Sequence, residues 1–282
     1  MDLLTRERAL RNIAGLTSPT AAEYLLIDSL IAAVSEAVER YCCRAFAVQA
    51  YDELYDGNDR PTLLLRNFPV VSVERIAYEP APVLTVQNTS ASNQRASIKV
   101  SADGVTLTRV ASGVTTSDSV TFAGAATLSA LATAIAAVGN GWGASVASGY
   151  DSYASADLRA TQGAFNARDA AADLRIHVRE LSAFDVDETR GYLRRGAPGC
   201  LSSPVFYGGH NFWRVLYTAG FDVVPDAVQE ACAEWVAALF WQSKRDPGLT
   251  QEATVGVTSH VVLQDMPAMA RTLLRPYRVI RI

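Results

Sequence analysis

The segment that follows Thr20 places the strongest constraint on how this 282-residue chain folds, because it has the pattern of a long amphipathic helix. Thr20 and Glu23 have the T-x-x-E spacing of a capping box, in which each side chain bonds the other residue's backbone amide at the start of a helix. Large apolar residues then recur at steps of four and three: Ile27, Ile31, Val34, Val38 and Tyr41. This spacing predicts one buried helix face.

Other helices are indicated by their end signals. Pro225 and Asp226 suit the first turn of a helix that runs to Trp241. Within it, Trp235 and Trp241 are about 120° apart around the helix axis, so one is expected in the core and the other at a contact. Core packing is the default for both, and a contact role needs exposure. Thr127 is expected to cap a shorter helix.

The segment after the first long helix has the alternating pattern of strands. Apolar residues alternate at 51–55, turn-forming residues occupy 56–59, and short apolar runs follow at 63–65 and 69–73. This order predicts a small strand pair packed on the helix.

From about residue 80 the composition shifts to Ser, Thr, Ala and Gly with few charges. Asp103-Gly104 lies between two alternating runs, which is a strong hairpin signal. Residues 142–146 and 173–181 also have strand patterns, and alternation in the second predicts that His177 faces solvent. The pattern favours a small α+β module.

The charge balance limits the partners. The chain has 25 Lys and Arg against 29 Asp and Glu, a net charge of -4, which argues against a protein that grips nucleic acid through phosphates. The acidic excess lies in residues 1–80, with 12 acidic and 8 basic residues. No run approaches the roughly 20 apolar residues of a membrane-spanning helix, and the charged N-terminus does not resemble a signal peptide. We expect a soluble chain made in the cytoplasm, with its cysteines as free thiols.

The sequence offers little for catalysis. The three histidines lie far apart and no H-E-x-x-H motif is present, so neither a metal site nor a cofactor is expected. Residues 139–143 are rich in glycine but follow a helix instead of opening one, which favours a turn over a phosphate-binding loop. The enzymatic alternative is a hydrolase that uses His210 with Asp222 or Asp226. A protein that is not an enzyme is the preferred interpretation.

The C-terminal tail is rich in arginine. Four arginines and no acidic residue follow Asp265: Arg271, Arg275, Arg278 and Arg281. Residues 277–282 are also β-prone and more apolar than a free tail favours. Three interpretations stay open, namely a solvated end, a nucleic-acid patch, and an extended arm that adds a strand to a partner.

The two outer parts of the chain resemble the tailed-bacteriophage head-tail connector proteins, also called adaptor or head-completion proteins. The resemblance rests on an ordered set of segments, at residues 37–41, 44–46, 51–57, 63–65, 69–73, 215–221, 224–225, 245–246 and 273–278. Each segment alone is weak evidence for the family, and the order of the whole set makes the resemblance specific. Compact members of the family would join the two parts by a much shorter link.

The resemblance implies an α+β fold in which a discontinuous helical connector core with short β-hairpins, residues 1–80 and 201–282, is interrupted by an inserted β-rich α+β domain, residues 81–200. It also implies a structural virion protein, assembled in the host cytoplasm. Such proteins form a ring, commonly a dodecamer, that binds the portal and the tail or stopper protein. The ring lines a channel through which DNA passes without specific binding.

Two sets of residues are candidate contacts. The arm, from about residue 271 to 282, offers Arg271, Arg275, Tyr277, Arg278, Val279, Ile280 and Arg281. On the capped helix, Glu36, Glu39 and Arg40 are expected to face water, as channel-facing or subunit-contact residues whose acidic charge keeps DNA from sticking. The alternative function is a binding module whose inserted domain contacts capsid, a decoration protein or carbohydrate.

Overall fold

Helices lie near both ends of the chain and strands fill its middle in the computed structural model, which describes residues 2–196, 204–244, 251–254, 257–260 and 266–279. The α-helices are α1 (Arg6–Asn12), α2 (Ala21–Cys42), α3 (Leu128–Ala137), α4 (Asp226–Ser243) and α5 (Ala268–Leu274). The strands are β1 (Gln49–Gly57), β2 (Thr62–Leu64), β3 (Val70–Asn88), β4 (Asn93–Val100), β5 (Gly104–Ala111), β6 (Val114–Thr121), β7 (Trp142–Val146), β8 (Phe165–Asn166), β9 (Ala172–Glu180), β10 (Phe184–Asp187), β11 (Tyr192–Arg195), β12 (Gly209–Ala219), β13 (Gln251–Thr254) and β14 (Val257–His260). The α+β class predicted from the sequence is confirmed.

The start of α2 has the predicted capping box. Thr20 Oγ1 accepts the Glu23 backbone N–H at 3.3 Å, and Glu23 Oε2 accepts the Thr20 N–H at 2.8 Å. Lys244 Nζ lies 2.8 Å from Glu23 Oε1 and ties the end of α4 to this cap. The Lys244 ammonium, with the Thr20 hydrogen bonds, lowers the pKa of Glu23 to about 2.

One apolar core joins α1, α2, α4 and α5. The predicted face of α2 is confirmed, since its apolar residues at positions 27, 31, 34 and 38 are all buried. In α4 the two tryptophans differ as expected, with Trp235 9% and Trp241 40% exposed. The arrangement buries one helical layer and leaves Trp241 at its surface.

The central sheet joins the two ends of the chain, because β12 lies between β1 and β3 and is antiparallel to both. The small strand pair predicted within residues 51–73 is therefore wrong: β1 and the first half of β3 both pair with β12, and β2 pairs with β11. The aspartates of the predicted turn bond a distant segment instead of closing a hairpin. Asp59 Oδ1 accepts the Gly208 N–H at 2.7 Å, and Asp56 Oδ1 accepts the Asn211 N–H at 2.5 Å.

A buried polar cluster fixes the register of β1 against β12. Tyr217 donates its hydroxyl to Glu53 Oε2 at 2.7 Å, and Tyr55 donates to the same oxygen at 2.5 Å. Asn67 donates its backbone and side-chain N–H groups to the Tyr217 oxygen. Burial raises the pKa of both tyrosines, so their hydroxyls stay protonated donors.

The middle of the chain packs around its own apolar core, built from β3, β4, β5, β7, β9 and α3. The predicted hairpin at Asp103-Gly104, the helix capped by Thr127 and the strands near 142–146 and 173–181 are confirmed. β3 is 19 residues long and crosses the predicted boundary at residue 80. Its first half pairs with β12, and its second half pairs with β7, while β9 pairs along it from Ala77 to Val86. The division into domains stays a prediction.

His177 does not face solvent as the alternation of β9 predicted; it is only 3% exposed. The backbone carbonyl of Asn211, at the start of β12, lies 3.1 Å from His177 Nε2 and covers the ring. The Nδ1 atom has no partner among the described residues. Burial lowers the pKa of His177 to about 4, so the imidazole is neutral at pH 7.

His177 is expected to make folding stability fall in mild acid. Its pKa in the folded state, about 4, lies below the ordinary value of 6.5, so the unfolded chain takes up a proton first as the pH falls. This stability is fully present above about pH 6.5 and is lost towards pH 4. His177→Gln keeps a donor for the Asn211 carbonyl and removes the titration, which flattens this part of the profile.

Urea denaturation of both proteins between pH 8 and pH 4.5 is the measurement. The two stability curves should run parallel above about pH 7 and diverge below about 6.5. An identical slope in both proteins below 6.5 would contradict the assignment.

Candidate interaction surfaces

The end of α2 carries the three charged residues predicted as contacts. Glu36 and Arg40 are exposed and form an ion pair one helical turn apart, with Arg40 Nη2 2.5 Å from Glu36 Oε1. Glu39 is half-buried, and its Oε1 accepts the Phe46 backbone N–H at 3.1 Å. The expectation that all three face water is therefore wrong for Glu39, whose carboxylate instead caps the turn after the helix. Their roles in a channel or a subunit contact stay predictions.

The C-terminal segment is docked on the end of α2 as far as Val279. The half-buried Tyr277 ring packs edge-on against Phe46 and Phe221, at centroid distances of 6.1 and 6.2 Å. The Val279 N–H donates to the Cys42 carbonyl at 2.9 Å. Residues 275–277 form a turn of 3₁₀ helix. Ile280 and Arg281 lie outside the described residues.

Three arginines of this segment are open to solvent. Arg271, Arg275 and Arg278 are exposed, and none has an ion-pair partner in the part of the chain that the structure describes. The Arg278 guanidinium lies over the Tyr41 ring, 5.3 Å from its centroid. The segment thus presents positive charge on a fixed backbone, and whether it binds a partner stays a prediction.

A cleft of about 810 Å³ opens between the central sheet and the middle module. On one wall Arg214 donates to both oxygens of Asp52, at 2.8 and 2.6 Å, and to the Asp157 carbonyl. On the other wall are Arg159 and Arg175, and burial together with the nearby Arg175 charge lowers the pKa of Arg159. The cleft is lined by side chains of both charges, and its arginines are suited to hydrogen bonds and ion pairs, not to catalysis.

The structure does not assemble the predicted hydrolase residues. Asp226 forms an ion pair with Arg8 at 2.8 Å. His210 Nδ1 instead lies 3.1 Å from Asp56 Oδ1, with both side chains more than half exposed. The Asn211 N–H, and secondarily His210, lower the pKa of Asp56. Among the described residues no hydroxyl or thiol is hydrogen-bonded to His210, so this exposed pair lacks a positioned nucleophile.

The described part of the chain contains no cluster of three or more His, Cys, Asp or Glu side chains placed to hold a metal ion. None of its helices has the length and hydropathy needed to cross a membrane.

Comparison with known proteins gives one family. Residues 3–132 match the family described as head completion protein, which confirms over this range the resemblance inferred from the sequence. The match covers α1, α2 and the strands β1 to β6, so it continues past residue 80. No curated protein matches the chain.

Among solved structures, the chain is similar to a chain in the "Neck of empty GTA particle computed with C6 symmetry". The two share 13% identity with a TM-score of 0.41, over 99% of this chain and 91% of that chain. A likeness this distant carries no argument about function.

Proposed function

We propose that this chain, whose residues 3–132 match the head completion protein family, is a structural virion protein that joins the head of a phage to its tail. In this proposal it forms an oligomeric ring, a dodecamer, between the portal and the tail or stopper protein. The family match carries the proposal. The protein acts at the head-tail interface of the virion, after assembly in the host cytoplasm.

The surface charge supports a ring that surrounds DNA without holding it. The exposed ends of Glu36 and Arg40 neutralise each other, and the net charge of the chain is -4. Duplex DNA is held chiefly by clusters of unpaired cations. In the proposal, the exposed arginines of residues 271–278 face the portal instead of the channel.

A second function is favoured by the sheet of β4, β5 and β6. Its outer face carries Ser and Thr side chains, such as Thr108 and Ser117, whose hydroxyls lie 3.0 Å apart. A groove of about 520 Å³ on this face is lined in addition by Arg95, Asn166 and Asp169. Hydroxyl and amide groups suit hydrogen bonding to a capsid protein, a decoration protein or carbohydrate.

The proposed function predicts that the purified chain assembles into closed rings. Mixed with portal protein, the rings should stack on the portal and share its axis. Light scattering after size exclusion gives the mass, and negative-stain electron microscopy gives the ring and its symmetry. A chain that stays monomeric both alone and with portal would refute the proposal.

The arginines of the C-terminal segment are predicted to serve portal attachment without serving the fold. A triple Gln variant of Arg271, Arg275 and Arg278 should melt within about 5 °C of the wild type, because each surface substitution lies within about 0.5 kcal/mol and about 1 kcal/mol shifts the melting temperature by roughly 2–4 °C. Its affinity for portal should fall, as measured by co-sedimentation. The matched control neutralises three exposed arginines elsewhere: Arg11, Arg60 and Arg190.

Truncation after Leu274 shows how large the loss of portal affinity is when the rest of the segment is removed as well. It also removes the Tyr277 ring from its contacts with Phe46 and Phe221, which should cost about 1–3 kcal/mol of monomer stability. Equal portal affinity for the triple variant and the control variant would contradict a role for these arginines.

Removal of the middle module tests the second function. Because Ala81 pairs with Ile176 in the β3–β9 ladder, residues 82–175 can be replaced by Asn-Gly, which forms a two-residue hairpin turn. This deletion keeps β10 and β11, which pair with β2. If the module is accessory, rings still form on portal and particles stay infectious. Rings that form without infectivity would favour a binding role, and circular dichroism checks the fold.

A further inference from the structure

Arg44 is a buried cation to which the described residues supply no anion. It follows the end of α2 and is 8% exposed, yet no acidic side chain among the described residues pairs with it and its side chain makes no hydrogen bond there. Its guanidinium carbon lies 4.9, 5.1 and 5.5 Å from the ring centroids of Phe68, Phe221 and Phe46. Its Nε is buried without a partner.

Three aromatic rings do not replace an anion. The cation–π contacts and the partial negative charge at the C-terminal end of α2 both favour the guanidinium, but each is weaker than a buried ion pair. Removing a charge from water is costly, and N–H donors without a hydrogen-bond partner add to that cost. Burial accordingly lowers the pKa of Arg44. Among the described residues, the Arg44 guanidinium thus has no protein acceptor, and its Nε donor is buried.

Exposed apolar residues lie in the segments that surround Arg44, together with the exposed Asp222. Val48, Val71 and Val223 are 41%, 53% and 74% exposed, and each lies two or three residues along the chain from one of the three rings. Val48 precedes β1, Val71 lies at the start of β3, and Val223 follows the end of β12. These strand ends meet, since Gln49 pairs with Ala219 and Ala219 with Val70. Arginine and aromatic side chains are enriched at binding interfaces, and this site combines an arginine with three aromatic rings.

The approach of these segments is close. Gly220 has φ 136°, and a Cβ atom there would lie 2.4 Å from the Ala47 carbonyl oxygen. Its N–H donates to the Pro69 carbonyl at 2.9 Å. Glycine is therefore required at this position, and it holds the segments of Phe46, Phe68 and Phe221 together around Arg44.

We propose that this end of the central sheet is a subunit interface, in which Arg44 receives a side-chain carboxylate from a second copy of this chain. The inference rests on the proposed ring. A ring built head to tail uses two different faces of each copy, which must be complementary. A face that ends in an unpaired buried cation requires an acidic group on the opposite face.

The chain itself supplies such groups. Residues 1–80 hold 12 acidic and 8 basic residues, and among the described residues Asp2, Glu7 and Glu74 are exposed and take part in no ion pair. A carboxylate matches the planar fork of arginine, and the apolar surroundings strengthen the pair by excluding water. The same apolar surroundings disfavour a DNA phosphate as the occupant, because protein–DNA contacts are polar and wet.

Arg44→Met tests the inference, because it keeps the length and apolar bulk of the side chain and removes its charge. The melting temperature of the dissociated chain should stay equal or rise. Self-association, measured by analytical ultracentrifugation, should weaken by about 30-fold or more, the effect of truncating one member of a buried charge pair. The control is Arg179→Met, which removes an exposed arginine paired with Glu79 and should associate as the wild type does.

The other outcomes are distinguishable. If Arg44→Met associates as tightly as the wild type, the inference is overturned and the proposed ring stands. The same holds if the variant melts at a lower temperature but assembles normally. A wild-type chain that never self-associates refutes the ring and this interface together. Normal rings with weaker portal attachment would place the occupant on the portal and overturn the assignment to a second copy.

A second route leaves Arg44 in place, in case Arg44→Met does not fold. The exposed, unpaired acidic residues are neutralised one at a time, beginning with Asp2→Asn, Glu7→Gln and Glu74→Gln. One of these variants should reproduce the loss of association while keeping the wild-type melting temperature. If none does, the inference is overturned.

Discussion

The position of β12 between β1 and β3 is the constraint on which the rest of the structure depends. β12 follows the middle module along the chain, so the central sheet cannot close until both ends of that module have come together. Trp213 and Tyr217 on β12 are almost fully buried, and Arg214 between them binds Asp52 of β1. Closing so long a loop costs entropy only logarithmically in its length. A few large buried side chains on one strand therefore suffice to hold a discontinuous core.

Local signals and long-range pairings differ in how well they can be predicted. The cap at Thr20, the hairpin at Asp103-Gly104 and the unequal exposure of the two α4 tryptophans follow from residues within a few turns of one another, and the sequence predicts them. The pairing of β1 with β12 does not, because a strand's alternation says which faces it has but not which strand lies beside it. The burial of His177 and the contact of His210 with Asp56 could not be predicted for the same reason, since both depend on where β12 begins.

The candidate surfaces also differ in how far the sequence reveals them. Arginines 271, 275 and 278 are recognisable from composition, and the structure adds that Tyr277 fixes them in place. Arg44 is not recognisable, because its aromatic neighbours come from three separate segments and its distinguishing property is a missing partner. Arg44 belongs to the segment 44–46, which contributes to the family resemblance. Nothing in that segment alone shows whether its arginine is buried or exposed.

Phe46 and Phe221 link the two surfaces. Both rings contact Tyr277 and both flank the Arg44 guanidinium, so the C-terminal segment and the proposed subunit interface share one aromatic cluster. A shift of Tyr277 would change the packing around Arg44, because close-packed rings cannot move independently. If the C-terminal segment binds the portal and Arg44 binds a neighbouring copy, either contact fixes the shared aromatic cluster in the conformation that the other contact needs. Coupling of this kind makes ring closure and portal attachment mutually supportive, since each reduces the ordering that the other requires.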